Sequence, residues 1–285
     1  MKNIITLLMP RICSFKGKRF LKNNRGGLFK LLLFGTIGIL FWGGIFAVSL
    51  RVLSYFKEIA ELGDILACKL LSMVLLTFFF LLVFSSILTA LSKLYLSRDL
   101  SLVHSLPVPS YKIFIARWIE STADSSWMVI VYTLPVFISY GIVYQTGPLF
   151  YINIVMTLLS LSIIASGLSA VLVITAVNFL AASRIRTICI FIGLCFFLVL
   201  FFAFRFLRPE RLVDPETFAS ALVYLKALKT PAPPYLPSTW AFDSMKALLY
   251  GNITEGLFQV ALLWSFAGAV VFMVIILELV YTLIN

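Results

Sequence analysis

The sequence has few charged residues. Only 12% of its 285 residues are Asp, Glu, Lys or Arg, whereas 61% are apolar, and the mean hydropathy is +1.05. Soluble domains are about 25% charged and about 45–50% apolar. This chain therefore has more apolar surface than a water-soluble core of its size can bury, and its composition indicates an integral membrane protein.

Residues and motifs that bind metals or perform catalysis are also scarce. The one histidine, His104, is expected in a solvated loop, and no HExxH or GxSxG motif occurs. The sequence also lacks the GxxxxGK[ST] loop that cradles nucleotide phosphates. We expect no cofactor, no metal site and no enzymatic activity of the chain's own. The spacing of the four cysteines suggests no disulfide framework: Cys13, Cys68, Cys189 and Cys195.

Long uncharged runs are abundant. A bilayer core about 30 Å thick needs about 20 apolar residues in a helix. The run at 125–183 is too long for one crossing, and the turn residues at 145–148 divide it. Because the runs do not alternate as barrel strands do, we predict an all-α polytopic protein with six transmembrane helices. The uncharged runs are 31–50, 70–92, 125–183, 187–204 and 256–277.

The distribution of lysine and arginine predicts the orientation of the chain. Eight bases and no acid precede the first run, so the amino terminus is expected on the cytoplasmic side of the membrane. These bases are either simply this orientation signal or a segment that attracts anionic lipid headgroups. The predicted organisation is a basic lead-in at 1–30, helices one to five at 31–204 with a cytoplasmic segment at 93–124, an extracytoplasmic Pro-rich segment at 205–255, and helix six at 256–283.

The cytoplasmic segment combines an amphipathic stretch with two prolines. A short helix capped by Ser97, with Asp99 in its first turn, is expected to end before Pro107. Since a residue before proline avoids helical conformation, 106–109 is predicted to be a rigid extended elbow. Ser110 is then expected to cap a new helix that continues into the third span.

That second helix carries charges on one face. Arg117, Glu120 and Asp124 follow helical spacing, and Trp127 is typical of a membrane interface. Arg117 can pair with Glu120, but the two carboxylates repel, so this face should contact protein or water. Two interpretations are open: a solvated juxtamembrane face, or a stiff knob that transmits a push from a partner to the third span.

Other features have two interpretations each. Glu278, at the end of the sixth span, is either interfacial or a polar contact along a path. The segment 205–255 is either a gate or a tether, with a helix expected around 238–250. Small residues suit helix contact or substrate passage: Gly35, Gly38, Gly43 and Gly44 in the first span, and Ala165, Ser166, Ser169 and Ala170 in the fourth.

Several stretches carry a family resemblance, among them LYLSRDLSLVHSLPVPSYKIFIARWIESTADSSWMV and FRFLRPERLVDPETFASALVYLKALKTPAPPYLPSTW. From about Phe29 to the end of the sixth span, the chain resembles the membrane subunits of a family of bacterial ABC exporters. The resemblance implies a permease that pairs with a separate cytoplasmic ATP-binding subunit and moves an unidentified substrate outward. Since members of that family usually have about twice as many spans, we expect an amino-terminal half that works with a second half or copy.

The resemblance also implies which residues matter. The ATPase-coupling candidates are Ser97, Arg98, Asp99, Leu106, Pro107, Pro109 and Arg117, and the polar candidates at the membrane edge are Glu120, Asp124 and Trp127. Glu278 joins the membrane-edge candidates by its position alone. Two alternatives remain: a non-transporting polytopic scaffold or assembly factor, and a lipid-modifying membrane enzyme that uses Glu120 and Asp124. Membrane lipids are expected partners, and nucleic acid is not.

Overall fold

The described part of the chain is entirely helical. In the computed structural model, residues 25–58, 63–97, 109–179 and 235–284 are described, with six single residues between 184 and 198. These residues contain six long or medium helices and no strand: α1 (Arg25–Glu58), α2 (Gly63–Leu94), α3 (Ser110–Val143), α4 (Pro148–Phe179), α5 (Pro237–Leu249) and α6 (Ile253–Ile284).

Five of these helices, α1, α2, α3, α4 and α6, are long and apolar enough to cross a membrane. They correspond to predicted spans one to four and six, so the prediction of an all-α multi-pass protein is confirmed for the described residues. The predicted fifth span, 187–204, lies outside the described residues except for single helical positions. The helix expected around 238–250 is present as α5.

The helices extend beyond the uncharged runs that predicted them. An uncharged run ends where the first charged side chain appears, but a helix can continue into the headgroup region, where charged groups are hydrated. The predicted division of the long run is confirmed, because α3 ends at Val143 and α4 begins at Pro148. Between them Gln145 has φ 51° and Thr146 N donates to Gly141 O at 3.0 Å, which closes the turn.

A proline inside α3 links this helix to α1. Pro135 has no backbone N–H, so it leaves the carbonyl of Val131, four residues earlier, without its helical donor. The indole Nε1 of Trp42 donates to that carbonyl at 3.1 Å. Since an unpaired carbonyl is costly in lipid, this bond both satisfies Val131 and fixes α1 against α3.

The centre of the bundle is formed by α2, α3 and α4, which meet through small polar side chains. Ser86 and Ser125 hydroxyls lie 3.0 Å apart, and Thr122 donates to Ser166 at 2.9 Å. Lipid chains are as apolar as leucine, so helix association in a membrane depends on close packing and on interhelical hydrogen bonds of this kind. The small residues expected to pack in the fourth span are indeed buried: Ala165, Ser166, Ser169 and Ala170.

The glycines of α1 behave differently from the expectation. No described atom lies within 4 Å of a Cβ built at Gly35, Gly38, Gly43 or Gly44, so the predicted close contact is wrong for the described part of this chain. A close approach occurs instead at Gly167 of α4, where a Cβ would lie 2.3 Å from Val270 Cγ1 of α6. The α4–α6 contact therefore requires glycine at position 167.

Gly167→Ala should lower the melting temperature of the purified protein in detergent, because the new methyl group overlaps Val270 and forces α4 and α6 apart. Overpacking of this kind costs about 1–3 kcal/mol. Gly268→Ala is the matched control, since no described atom lies within 4 Å of a Cβ there. Equal melting temperatures for the two variants would contradict the packing described for α4 and α6.

Candidate functional site

The residues predicted to couple the chain to a partner surround the junction of α2 and α3. Ser97 follows the end of α2 and has no regular secondary structure, and Pro109 is exposed immediately before α3. Arg117 lies about two turns after the start of α3. The remaining coupling candidates lie outside the described residues: Arg98, Asp99, Leu106 and Pro107.

The start of α3 agrees in part with the predicted elbow. Pro109 has φ −59° and ψ 138°, which is extended backbone, as expected for the end of a Pro-Val-Pro stretch. Ser110 is the first helical residue rather than the cap, because Pro109 occupies the N-cap position and makes no side-chain cap bond. From Ser110 the helix continues without interruption through the third span, as predicted.

The charges of α3 form an ion cluster with a base from α2. Lys93 Nζ lies 2.6 Å from Glu120 Oε1 and 3.1 Å from Asp124 Oδ2. Arg117 Nη1 lies 3.2 Å from Glu120 Oε2. We define these four residues, Lys93, Arg117, Glu120 and Asp124, as the ion cluster; its two positive and two negative charges cancel.

Lys93 resolves the repulsion that the sequence implied between Glu120 and Asp124. The four side chains are only 16–27% exposed, so water screens them less than it screens surface pairs. A charge at a membrane edge is tolerated when it has a hydrogen-bonded partner. The stripe on α3 therefore faces protein, which was one of the two surroundings expected for it.

Trp118 fixes the same turn of α3 to the bundle interior. Its side chain is buried in a cluster with Leu91 and Leu94 of α2 and Val274 of α6, and its Nε1 donates to Ser166 O of α4 at 3.4 Å. The last turn of α2 and the first turns of α3 are thus held together twice, by charge at the edge and by apolar contact beneath it.

The other two polar candidates have different surroundings. Trp127, one turn beyond Asp124, is 54% exposed, as an aromatic ring facing the interface should be. Glu278 lies one turn after Val274, at the end of the bundle where the ion cluster lies, and is only 9% exposed. Since α6 continues to Ile284, Glu278 is inside the helix and not at its terminus.

The opposite end of the bundle contains a cleft of about 360 Å³. Beside it Tyr144 donates to Asp64 Oδ1 at 3.0 Å, and burial together with that bond raises the pKa of the Tyr144 phenol. Lys57 of α1 donates to Val143 O at the end of α3, at 2.6 Å, where a cation is favoured by the helix dipole. The cleft is lined by Asp64, Ile65, Cys68, Lys69, Phe242, Lys246 and Tyr250.

The described geometry offers no catalytic constellation at the ion cluster. Both carboxylates are held by bases, and each contact is one that stabilises helices rather than activates a nucleophile. Among the described residues there is no group of three or more His, Cys, Asp or Glu side chains that could hold a metal ion. What the site provides is a mechanical connection between α2 and α3.

The helices define a multi-pass helical membrane protein. Over residues 22–282, the chain matches the model of the family described as "Putative ATP-binding cassette". Because the match covers most of the sequence, the chain belongs to that family, and its role is related to ABC transport. Comparisons with curated proteins and with solved structures found no match.

The sequence carries a signal for the pairing of Lys93 beyond the end of a span that this residue marks. A base at the end of one membrane helix and two acids at the start of the next face each other if a short connection makes the helices antiparallel. The connection between Leu94 and Ser110 is short enough for that pairing. The bond between Trp42 and Val131 was also signalled, by Pro135, but proline alone does not specify the donor.

Lys93→Met should destabilise the protein by about 1–3 kcal/mol, because it leaves Asp124 without its described base in a mostly buried position. The measurement is thermal unfolding in detergent. Lys112→Met is the control, since Lys112 lies over the Tyr111 ring and outside the ion cluster. Adding Asp124→Asn to Lys93→Met should restore most of the loss, because the Arg117–Glu120 pair then remains neutral. A Lys93→Met protein as stable as Lys112→Met would contradict the ion cluster.

Proposed function

We propose that this chain is the membrane subunit of an ATP-driven exporter. A separate ATP-binding subunit supplies the energy, and the chain carries an unidentified substrate out of the cytoplasm. The observation that carries this proposal is the combination of an ATP-binding-cassette family match over 22–282 with a chain made largely of membrane-length helices.

The absence of a phosphate loop supports the membrane-subunit role that we propose. An ATPase of the P-loop type needs backbone amides and a lysine arranged around the phosphates, which the GxxxxGK[ST] sequence provides. This sequence contains no such loop. A member of an ABC family that lacks the loop must obtain its nucleotide chemistry from another protein, so the ATP-binding function belongs to a partner.

The orientation that we propose places the ion cluster at the cytoplasmic end of the bundle. Eight bases precede the first span without an acid, which favours a cytoplasmic amino terminus in a bacterial inner membrane. One crossing by α1 and a return by α2 then bring Lys93 and the 94–110 connection to the cytoplasmic side. The turn at 144–147 and helix α5 lie on the outside.

The proposed mechanism uses the ion cluster as the connection between partner and membrane helices. ATP binding by the partner shifts the segment between α2 and α3, which includes Ser97, Arg98, Asp99, Leu106, Pro107 and Pro109. Because Lys93 joins the end of α2 to Glu120 and Asp124 of α3, the shift reaches both helices together. A nucleotide drives such a change only through its different affinity for the two states.

The test of this mechanism is the ATPase activity of the assembled complex, obtained by purifying the tagged chain together with its ATP-binding partner. Asp99→Ala and Arg117→Ala should each lower the nucleotide turnover that depends on this chain, by about fivefold if about 1 kcal/mol of coupling is lost. The amount of chain inserted in the membrane should not change.

Arg51→Ala is the matched control, because Arg51 is exposed and lies in the second half of α1, toward the opposite end of the bundle. It removes one arginine without affecting the proposed contact with the partner. Failure of any ATP-binding protein to copurify would contradict the proposed function itself. Copurification with unchanged turnover in both variants would contradict only the proposed coupling segment.

A further inference from the structure

Three buried polar atoms lie at the junction of α4, α5 and α6 without a described partner. They are Asn153 Nδ2, Thr157 Oγ1 and Gln259 Oε1. Asn153 is 5% exposed and Thr157 is fully buried. A buried donor or acceptor left unpaired costs about 1–3 kcal/mol, and the cost has to be met by a partner that the described side chains do not provide.

The three atoms lie at one level of the bundle, on the two helices that Ser244 contacts. Ser244 of α5 lies 3.1 Å from Asn153 Oδ1 of α4 and 3.2 Å from Gly256 O of α6. Thr157 follows Asn153 by one helical turn, and Gln259 follows Gly256 by three residues, nearly one turn. Helices α4 and α6 start at the same end of the bundle and run in the same direction, with Gly167 against Val270. That register places Gln259 level with the turn from Asn153 to Thr157.

Rotating the Asn153 side-chain amide does not pair all of its polar atoms. A 180° rotation interchanges the positions of the amide nitrogen and oxygen. After that rotation, Nδ2 donates to Ser244 and Oδ1 becomes the unpaired atom. Ser244 has only one hydrogen and already lies near two acceptors, so it cannot satisfy a further acceptor. One Asn153 amide atom stays unpaired in either orientation.

The unpaired atoms specify the chemistry of the missing partner. In the orientation described, Asn153 Nδ2 is a donor, Gln259 Oε1 is an acceptor, and the Thr157 hydroxyl is both. A cation satisfies acceptors only, and an anion satisfies donors only. A small neutral hydroxyl that accepts from one group and donates to another satisfies all three.

We propose that this junction, formed by Asn153, Thr157, Ser244 and Gln259, is a binding site for an ordered water molecule that bridges α4 and α6 beside α5. Buried waters typically make about three hydrogen bonds to groups that lack other partners, which is the number of unpaired atoms here. The water joins α4 to α6 next to Ser244, through which α5 contacts both of these helices. This inference is independent of the proposed transport function.

Thr157→Val tests the site because the sign of its effect depends on the water. In a dry site, valine removes an unpaired hydroxyl and raises stability. In a hydrated site, it removes a bond to the water, and the melting temperature in detergent should fall about 2–4 °C below that of the control. The control is Thr133→Val, which removes an equally buried hydroxyl that donates to Val129 O of its own helix. A Thr157→Val melting temperature equal to or above that of Thr133→Val overturns the proposal.

A double-mutant cycle with Gln259→Met adds a readout that a purely local role of Thr157 would not change. If one water joins both side chains, the loss caused by Thr157→Val should largely disappear when Gln259→Met is already present. Additive losses overturn the bridge.

Hydroxyl-radical footprinting in ¹⁸O-labelled water supplies direct detection in the unmodified chain. Leu263, fully buried one turn after Gln259, should be modified more than Leu75, which is equally buried in an apolar setting. Equal modification of these two leucines contradicts a bound water.

Discussion

Lys93 is the charge on which the described arrangement of α2 and α3 depends. Its ammonium group contacts both Glu120 and Asp124, the two carboxylates that α3 brings to the membrane edge. With it, four partly buried charges sum to zero, and the end of α2 is fastened to the beginning of α3. Trp118 and the paired hydroxyls of Ser86 and Ser125 continue the same contact into the interior.

The bundle interior relies on short-range contacts of small and polar groups. Serine and threonine hydroxyls cross between α2, α3 and α4, and Gly167 lets α6 approach α4. Where a helix loses a backbone bond, as at Pro135, a side chain from another helix supplies the donor. Lipid chains cannot form hydrogen bonds, so the fold requires a side-chain donor wherever a backbone donor is missing.

Much of this fold could be predicted from the sequence because the bilayer imposes a length on every crossing. Uncharged runs near 20 residues identified five of the helices, and the Gln-Thr-Gly-Pro turn divided the longest run correctly. Helix ends were less predictable, since charged residues such as Lys57 can remain helical outside the hydrocarbon. The residues of α3 that share a face were also predictable, because helical spacing is local.

Partners across helices could not be predicted in the same way. Lys93 and Glu120 are 27 positions apart, and Trp42 and Val131 are 89 apart, so their pairing depends on how whole helices pack. The glycines of α1 illustrate the opposite error: close-packing spacing is present, but no described atom lies within 4 Å of a Cβ built at any of them. The proposed coupling role of the α2–α3 connection also depends on the arrangement of whole helices. It requires the end of the bundle with the ion cluster to face the ATP-binding partner.

Accessibility of the α2–α3 junction in intact cells tests that requirement most directly. In a chain whose native cysteines are replaced by serine, Pro109→Cys and Tyr235→Cys each introduce one thiol at an exposed position, at opposite ends of the bundle. The account predicts that a membrane-impermeant maleimide labels Tyr235→Cys from outside and reaches Pro109→Cys only in inverted vesicles. Labelling of Pro109→Cys in intact cells would contradict both the orientation and the proposed contact with an ATP-binding partner.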